Sequence, residues 1–348
     1  MNPYVLAILF VGLGLGTTIT LASSHWLLAW MGLEMNTLAI LPLMAQYYHP
    51  RAVEATTKYF LTQAAAAATL LFGTTTNAWL TGQWDILQMS HPAAIAIVTM
   101  ALALKVGLAP VHSWLPEVLQ GLTLTTGLIL STWQKIAPFA LILQLQPHSP
   151  EIMIAMGLLS IMVGGWGGLN QTQLRKILAY SSIAHLGWMI LIQQFAPPLT
   201  LLALLTYIIM TFSTFIVFKL TNSTTINSLA ISWAKAPVIA AFTPLILLSL
   251  AGLPPLTGFM PKWLILQELA KQGLAPTATI AALSALLSLY FYLRLTYTMS
   301  LTMSPNNLAG TVPWRLYTSQ PTLPLASSAT ATMLLLPLTP AILALLTT

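Results

Sequence analysis

The sequence predicts an all-α polytopic membrane protein with about eleven transmembrane helices. Three observations predict this fold class: charged residues make up only 5% of the 348 residues, hydrophobic residues make up 57%, and the mean hydropathy is +0.82. A soluble domain carries about 25% charged residues. With so few charges the chain can neither cover a soluble surface nor remain disordered, so we expect the lipid bilayer to be its solvent.

The spans follow one another along the whole chain. A spanning helix needs about 20 apolar residues, and the connections between such segments are short, except at 221–237 and 300–324. The alternating strands of a membrane β-barrel do not occur in the sequence. The predicted spans are 3–22, 26–46, 56–80, 92–119, 123–145, 151–171, 174–195, 198–220, 238–270, 275–299 and 325–347.

Lysine and arginine are sorted between the two sides of the membrane. Counting the adjacent span ends, the loops after odd-numbered spans hold only Lys271. On the same count, the loops after even-numbered spans hold Arg51, Lys58, Arg175, Lys176, Lys219, Lys235, Arg294 and Arg315. By the positive-inside rule, the N-terminus and the even-numbered loops face the compartment of synthesis, and the C-terminus faces the opposite side. This sorting, rather than nucleic-acid binding, explains the net charge of +6.

Spans four and nine are interrupted by glycine and proline. The first reads LKVGLAPVHSWLPEVLQ and the second SLAGLPPLTGFMPKWLI. At an offset of 145 residues, Gly107 aligns with Gly252 and Pro110 with Pro255. The breaks lie five spans apart, which predicts an inverted repeat of five-helix units with two broken helices, an architecture of ion-coupled transporters. Coincidence between two unrelated kinks is the alternative.

The organisation predicted from this pattern is a single membrane domain over residues 1–348. Within it, 1–80 forms N-terminal helices, and 92–220 and 238–348 contain the first and second broken helix. A break in a helix frees backbone N–H and C=O groups that lipid cannot satisfy. We therefore expect each break to face protein or a hydrated path.

Four ionisable residues lie inside spans and away from any loop, and they are the candidate functional residues: Glu34, Lys105, Lys135 and Lys262. A central charge costs about 2.5–3.5 kcal/mol on insertion scales, so such residues usually serve a function. Lysine, unlike arginine, can lose its proton when it is buried, and this choice favours proton transfer. The alternative is a structural ion pair or a snorkelling side chain. Pro138, which follows Lys135, is expected to kink that helix.

The histidines leave more than one interpretation open. His185 is mid-span and could relay protons between lysines, or it could be an ordinary packing residue. His112 lies within the first break, with the same two interpretations. The His and carboxylate spacing does not suggest a metal site. The GLGLG segment at 12–16 lies inside a span, so close helix packing explains it better than nucleotide binding.

Several stretches carry a family resemblance. They are HWLLAWMGLEMNTLAILPLM, TKYFLTQAAAA, LALKVGLAPVHSWLPEVLQG, STWQKIAPFALI, NQTQLRKILAYSSIAHLGWM and LAGLPPLTGFMPKW. Through them the chain resembles, over nearly its whole length, the antiporter-like membrane subunits of respiratory complex I, which are related to multi-subunit sodium/proton antiporters. The resemblance implies a proton channel driven by distant redox chemistry. Glu34 and Lys105 match the Glu–Lys pair of the first half-channel, Lys135 the connecting lysine and Lys262 the terminal lysine of the second.

The resemblance also implies the setting of the chain. We expect the mitochondrial inner membrane, with the N-terminus in the matrix and the C-terminus in the intermembrane space. Expected partners are other membrane-arm subunits, including neighbouring antiporter-like chains and the small 4L-type chain, together with phospholipid. The chain has no cysteine, so no cofactor is expected in it, and FMN, iron–sulfur clusters and ubiquinone would belong to other subunits.

One departure from the family pattern and two rival functions remain. Bacterial and plant relatives carry further N-terminal helices that this chain lacks, and accessory subunits or lipid could cover that surface. A stand-alone cation/proton antiporter would explain the broken helices equally well. A purely structural membrane subunit is the third hypothesis, and it predicts that removing all four intramembrane charges leaves proton yield unchanged.

Overall fold

A computed structural model of the chain describes residues 2–46, 49–145, 150–302 and 322–347; Arg315 therefore lies outside the described residues. Within those ranges the regular elements are helices, with two isolated bridges between loops. They are α1 (Pro3–Ala22), α2 (Trp26–Met44), α3 (Pro50–Thr81), α4 (Pro92–Val106), α5 (Trp114–Gly121), α6 (Leu124–Ser131), α7 (Trp133–Gln144), α8 (Pro150–Gly168), α9 (Leu174–Ile192), α10 (Pro197–Leu220), α11 (Ile226–Ala230), α12 (Ser232–Lys235), α13 (Pro237–Ala251), α14 (Phe259–Lys271), α15 (Ala275–Leu301), α16 (Leu323–Leu334), the 3₁₀ turn Leu336–Leu338 and α17 (Thr339–Thr347).

Helical segments occupy every predicted span, and several are long and apolar enough to cross a bilayer. Six such spans are found among the described residues: α1, α2, α6 with α7, α8, α10 and α15. The C-terminal pair, α16 and the segment after it, meets the same test but is bent by 65°. α4 and α13 are apolar but shorter, because each ends at a break. The chain is thus a multi-pass, all-helical membrane protein.

The chain forms two compact units, residues 1–154 and 155–348. In the first unit, α1 packs against α2 so closely that a Cβ on Gly16 would lie 2.8 Å from the carbonyl oxygen of Gly32. A Cβ on Gly12 would lie 3.4 Å from that of Ala39, whereas Gly14 has nothing within 4 Å. The packing interpretation of the GLGLG segment is therefore confirmed for Gly12 and Gly16 and wrong for Gly14.

In the second unit, α8 packs through its glycines. A Cβ on Gly164 would lie 2.7 Å from the backbone nitrogen of Ala184 on α9, and one on Gly168 would lie 2.8 Å from the ring of Phe291 on α15. Leu169 lies just past the end of α8, and its carbonyl accepts a 2.8 Å hydrogen bond from Nη1 of Arg294. A basic side chain near a helix C-terminus also complements the helix dipole.

Both predicted breaks are present, one in each unit, and their backbones are alike. α4 ends at Gly107 with φ +88°, and α13 ends at Gly252 with φ +81°, a region that glycine enters without a Cβ clash. A cis peptide bond follows each glycine, at Ala109–Pro110 and at Pro254–Pro255. The chain then resumes a helix at residue 114 in the first break and at residue 259 in the second.

The span that holds Lys135 is interrupted before the proline that was expected to kink it. Pro138 lies inside α7, and the boundary between α6 and α7 falls six residues earlier, at Thr132. Thr132 has φ −112° and ψ −70°, which ends α6 and starts α7. A proline removes only the hydrogen bond to the residue four positions earlier, here Gln134, so Pro138 does not account for the interruption at Thr132.

Candidate functional site: two lysine clusters at broken helices

The first cluster joins α2 to α4 through an ion pair. Nζ of Lys105 lies 3.7 Å from Oε1 of Glu34, and the Lys105 side chain is only 2% exposed. The second carboxylate oxygen, Oε2 of Glu34, accepts a 3.3 Å hydrogen bond from the hydroxyl of Thr37. The two residues are far apart in the sequence, so the structure supplies a proximity that the spans alone could not predict. A buried charge with a partner within 4 Å is held far more cheaply than an isolated one.

The end of α4 is fixed from two sides. The carbonyl of Lys105 accepts a 3.4 Å hydrogen bond from Nε2 of Gln63 on α3. The carbonyl of Leu104, left free because α4 stops at Val106, accepts a 3.0 Å hydrogen bond from Nε1 of Trp114. Trp114 is the first residue of α5, so the helix after the break closes the end of the helix before it.

A cavity of about 20 Å³ lies beside the two buried lysines of this unit. Both Lys105 and Lys135 line it, and such a volume holds about one water molecule. The lining also includes polar groups from α2, α3 and α7. Its residues are Leu33, Asn36, Thr37, Tyr59, Gln63, Lys105, Val106, Trp114, Leu115, Leu130, Gln134, Lys135 and Pro138. Lys135 itself is 3% exposed.

The second cluster contains Lys262, whose partner is a backbone carbonyl and not a carboxylate. Nζ of Lys262, on α14, donates a 2.8 Å hydrogen bond to the carbonyl of Ala251, the last residue of α13. A cation at the C-terminal end of a helix is favoured by the free carbonyls and by the helix dipole. The side chain crosses the break closely: a Cβ on Gly252 would lie 2.9 Å from Cδ and 3.0 Å from Nζ of Lys262.

His185 shares a narrow crevice with Lys262. The crevice has no room for a water-sized sphere. It is lined by Ser181, Ala184, His185, Trp188, Lys262, Ser288 and Tyr292. The ring centroids of His185 and Tyr207 lie 5.6 Å apart. The structure therefore brings His185 to Lys262, as one of the two sequence interpretations requires.

His112 is half-buried within the first break. Its Nδ1 lies 3.3 Å from the carbonyl oxygen of Pro110, and the residue is not among those that line the Lys105 cavity. Among the described residues there is also no group of three His, Asp or Glu side chains arranged to hold a metal ion.

Glu117, which aligns with Lys262 at the offset of 145 residues, is not among the residues that line the cavity. It lies on the exposed surface, where its Oε2 accepts a 2.9 Å bond from Nζ of Lys58, which also contacts Glu54 at 2.9 Å. Exposed pairs of this kind contribute about 0–1 kcal/mol.

Sequence reasoning missed the neutral polar residues of the first cluster. Gln63 is 3% exposed, and Gln134 donates through Nε2 to the carbonyl of Asn36 at 3.3 Å. A search limited to ionisable residues passes over amides. The available signal was that each is an amide inside an otherwise apolar span, where an unpaired polar group is costly.

Comparisons with known proteins now identify the family. The model of the NADH:quinone oxidoreductase/Mrp antiporter transmembrane family matches residues 23–288, and that of the NADH dehydrogenase subunit 2 C-terminus matches 289–343. The NADH-ubiquinone oxidoreductase chain 2 of Tetraodon nigroviridis is 70% identical over 345 residues, which is 99% of each chain. The chain belongs to the chain 2 family of NADH–ubiquinone oxidoreductase.

Two solved structures share the fold. A chain of respiratory complex I from Thermus thermophilus is 30% identical with a TM-score of 0.85, over 98% of this chain and 80% of that one. A chain of the Mrp complex from a Dietzia species is 19% identical with a TM-score of 0.78, over 95% of this chain and 73% of that one, which shows the common fold alone. As a member of the chain 2 family, the protein is a proton-translocating, antiporter-like subunit of the H⁺-translocating oxidoreductase.

Proposed function

We propose that the chain moves protons through its two lysine clusters, with Glu34, Lys105, Lys135 and Lys262 as the proton-carrying residues and His185 as a relay beside Lys262. The observation that carries the proposal is the Glu34–Lys105 pair, 3.7 Å between Oε1 and Nζ, next to a cavity that Lys105 shares with Lys135. His112 is a secondary candidate for a relay at the first break, because it is not among the residues that line that cavity.

The chemistry follows from the choice of groups. A buried lysine keeps its proton while a carboxylate stays close and releases it when the pair opens, because burial alone disfavours the charged amine. A shift of the Glu34–Lys105 distance therefore moves a proton toward Lys135. Moving one charge against 100 mV costs about 2.3 kcal/mol, which is comparable to the several kcal/mol involved when a buried ion pair is broken.

The experiment that tests the proposal uses the whole complex with Glu34→Ala or Lys105→Ala. We expect assembly to be retained, electron transfer to artificial acceptors to be normal, and proton-coupled NADH oxidation to be impaired, because the first cluster can no longer exchange its proton. Wild-type proton yield in both variants would refute the proposal.

The topology we propose is eleven transmembrane spans, with the two breaks at corresponding positions of inverted five-helix repeats. The paired left-handed glycines, Gly107 and Gly252, support this repeat. The basic loops support an orientation with the N-terminus in the mitochondrial matrix and the C-terminus in the intermembrane space. Labelling of single introduced cysteines from each side would test the orientation.

The partners we propose are neighbouring antiporter-like chains, the small 4L-type chain and phospholipid. The side chain of Glu34 is 25% exposed at the surface of α2, between the exposed Met31 and Met35. A carboxylate facing lipid is costly, so a protein neighbour with a polar group is the better cover for this position. FMN, iron–sulfur clusters and ubiquinone are assigned to other subunits. Cross-linking from position 31 or 35 tests the neighbour.

The alternative hypothesis, a stand-alone cation/proton antiporter, has only the shared fold with the Mrp complex chain in its favour. Purification separates the two functions. A complex I subunit co-purifies with a redox arm and pumps only with NADH, whereas an antiporter exchanges cations without it.

A further inference from the structure

Thr257 joins the second break to the C-terminal helices. It lies between α13 and α14 and is 2% exposed. Its hydroxyl donates a 2.7 Å hydrogen bond to the carbonyl of Thr332 on α16, 75 residues further along the chain. Most other buried threonine hydroxyls of this chain bond to a carbonyl three or four residues earlier in their own helix, as that of Thr332 does with Ala329. The long-range bond of Thr257 therefore needs a separate explanation.

The carbonyl of Thr332 is available because α16 stops and bends. The segment that follows α16 is turned by 65°. At this end of the helix, the N–H of Leu335 still donates to the carbonyl of Ala331 at 3.1 Å. Pro337 has no N–H and cannot continue the helical bonds. The carbonyl of Thr332 is thus one of the helix-terminal carbonyls that need a partner from outside the helix, and Thr257 supplies it.

The chain between Thr257 and Lys262 is short and closely held. Gly258 packs against α13 so tightly that a Cβ there would collide with the carbonyl oxygen of Ser249. The carbonyl of Thr257 accepts a 3.3 Å hydrogen bond from the N–H of Met260, in the first turn of α14. Lys262 lies on the same turn, five residues after Thr257. A displacement of Thr257 is therefore passed on to the start of α14.

We propose that Thr257 is a positioning residue for Lys262. Its bond to Thr332 holds the start of α14 where Nζ of Lys262 reaches the carbonyl of Ala251 at 2.8 Å. A movement of α16 that withdrew the carbonyl of Thr332 would release α14 and weaken the bond of Lys262, so the bent C-terminal helices can control the second cluster. The inference rests on the proposed function, in which Lys262 carries protons.

The fit of Lys262 across the break makes it sensitive to a small displacement. A Cβ on Gly252 would lie 2.9 Å from Cδ of Lys262, so the side chain has little room to change its path. Hydrogen bonds weaken steeply when their angle departs from linear. If Thr257 served only to satisfy a buried carbonyl, its loss would lower thermal stability and leave proton transfer unchanged.

The test compares Thr257→Val with Thr200→Val in the assembled complex. Valine removes the hydroxyl and keeps the branched shape of the side chain. Thr200 on α10 is a matched control, because it is 0% exposed and its hydroxyl donates to the carbonyl of Pro197 within its own helix. Thr257→Ser is the conservative variant, because it keeps the hydroxyl.

Two measurements decide the outcome. NADH-driven proton uptake by vesicles should slow about two- to tenfold in Thr257→Val, the factor that corresponds to one hydrogen bond, while electron transfer to artificial acceptors stays normal. Thr200→Val should pump at the wild-type rate, and Thr257→Ser should recover most of the rate. In a cryo-EM map of Thr257→Val, Nζ of Lys262 should lie beyond hydrogen-bond reach of the carbonyl of Ala251.

Either of two results overturns the proposal: a Thr257→Val complex that pumps as fast as Thr200→Val, or a Thr257→Val map in which Lys262 still bonds to Ala251. If Thr257→Val does not assemble, Pro337→Ala attacks the same bond from the acceptor side. Its restored N–H lets α16 continue, so the carbonyl of Thr332 bonds within the helix, and wild-type pumping in that variant overturns the proposal.

Failure of the proposed function has a different signature. Lys262→Met would then pump at the wild-type rate, while the start of α14 would still be displaced in the map of Thr257→Val. Failure of the positioning role alone would leave Lys262→Met impaired and Thr257→Val normal.

Discussion

The two broken helices have the same backbone and opposite arrangements of charge. In the first, the lysine precedes the break, pairs with a carboxylate at 3.7 Å and lines a cavity of about 20 Å³. In the second, the lysine follows the break and donates to the carbonyl of Ala251 at 2.8 Å, beside a crevice with no room for water. The same backbone break can thus hold a lysine either beside a carboxylate or beside the last carbonyl of a helix.

The two breaks also differ in the groups that bond to the end of the helix before the break. The free carbonyl before the first break is satisfied by the indole of Trp114, which leaves Lys105 available to Glu34. At the aligned position of the second break stands Phe259, which cannot donate a hydrogen bond. Lys262 instead donates to the carbonyl of Ala251, whereas the carbonyl of Ser249, which aligns with Leu104, accepts from the N–H of Gly252. The two breaks therefore differ both in the aromatic residue, an indole against a phenyl ring, and in the partner of the lysine.

Among the variants that test this comparison, Lys262→Met is expected to have the largest effect. The change removes both the cation and the donor to the carbonyl of Ala251, so the second cluster should lose proton transfer. Leaving the buried carbonyl unpaired should also cost about 1–3 kcal/mol of stability. Proton yield per NADH and thermal unfolding of the purified complex measure the two effects. Unchanged proton yield would remove Lys262 from the path.

A second comparison uses the paired glycines. Gly107→Ala and Gly252→Ala should each cost about 1–2 kcal/mol, because both φ values are positive. Only the second change also pushes against Cδ and Nζ of Lys262. We therefore expect similar losses of thermal stability but a clear pumping defect in Gly252→Ala alone. Equal pumping in the two variants would argue against a working position for Lys262 across the break.

A smaller effect is expected from Trp114→Phe, which gives the first break the aromatic residue of the second. The carbonyl of Leu104 then loses its donor, at a cost of about 1–3 kcal/mol. Differential scanning calorimetry of the complex would measure this loss. A variant as stable as wild type would mean that another group closes the end of α4.

The smallest effect is expected from Glu117→Gln. This carboxylate is 55% exposed and pairs with Lys58 at the surface, so stability should change by less than about 0.5 kcal/mol and proton yield should stay at the wild-type value. The comparison of unfolding curves and proton yields with wild type checks both. A pumping defect here would show that the alignment of Glu117 with Lys262 has functional meaning.

Much of the fold could be predicted from the sequence because apolar length and basic loops are local signals. The helices occupy all the predicted spans, and the glycine–proline patterns located both breaks. The interruption near Lys135 was not located, because it falls at Thr132, six residues before Pro138, the local signal in that span.

The site was predictable only in part. Charged residues inside apolar spans can be recognised from the sequence alone, and the family resemblance suggested their pairing. The partners of these charges could not be predicted, because Gln63, Gln134 and Asn36 are neutral and their contacts join helices far apart in the sequence. The hydrogen bond of Lys262 to a carbonyl likewise depends on the backbone of the break, which side-chain patterns do not describe.

The most direct test of the central claim is a double-mutant cycle on Glu34 and Lys105, with proton yield per NADH measured in reconstituted complex. If the two residues act as one proton-exchanging unit, Glu34→Gln, Lys105→Met and the double variant should show nearly the same reduced yield. Additive losses, or a wild-type yield in any of the three, would contradict the account.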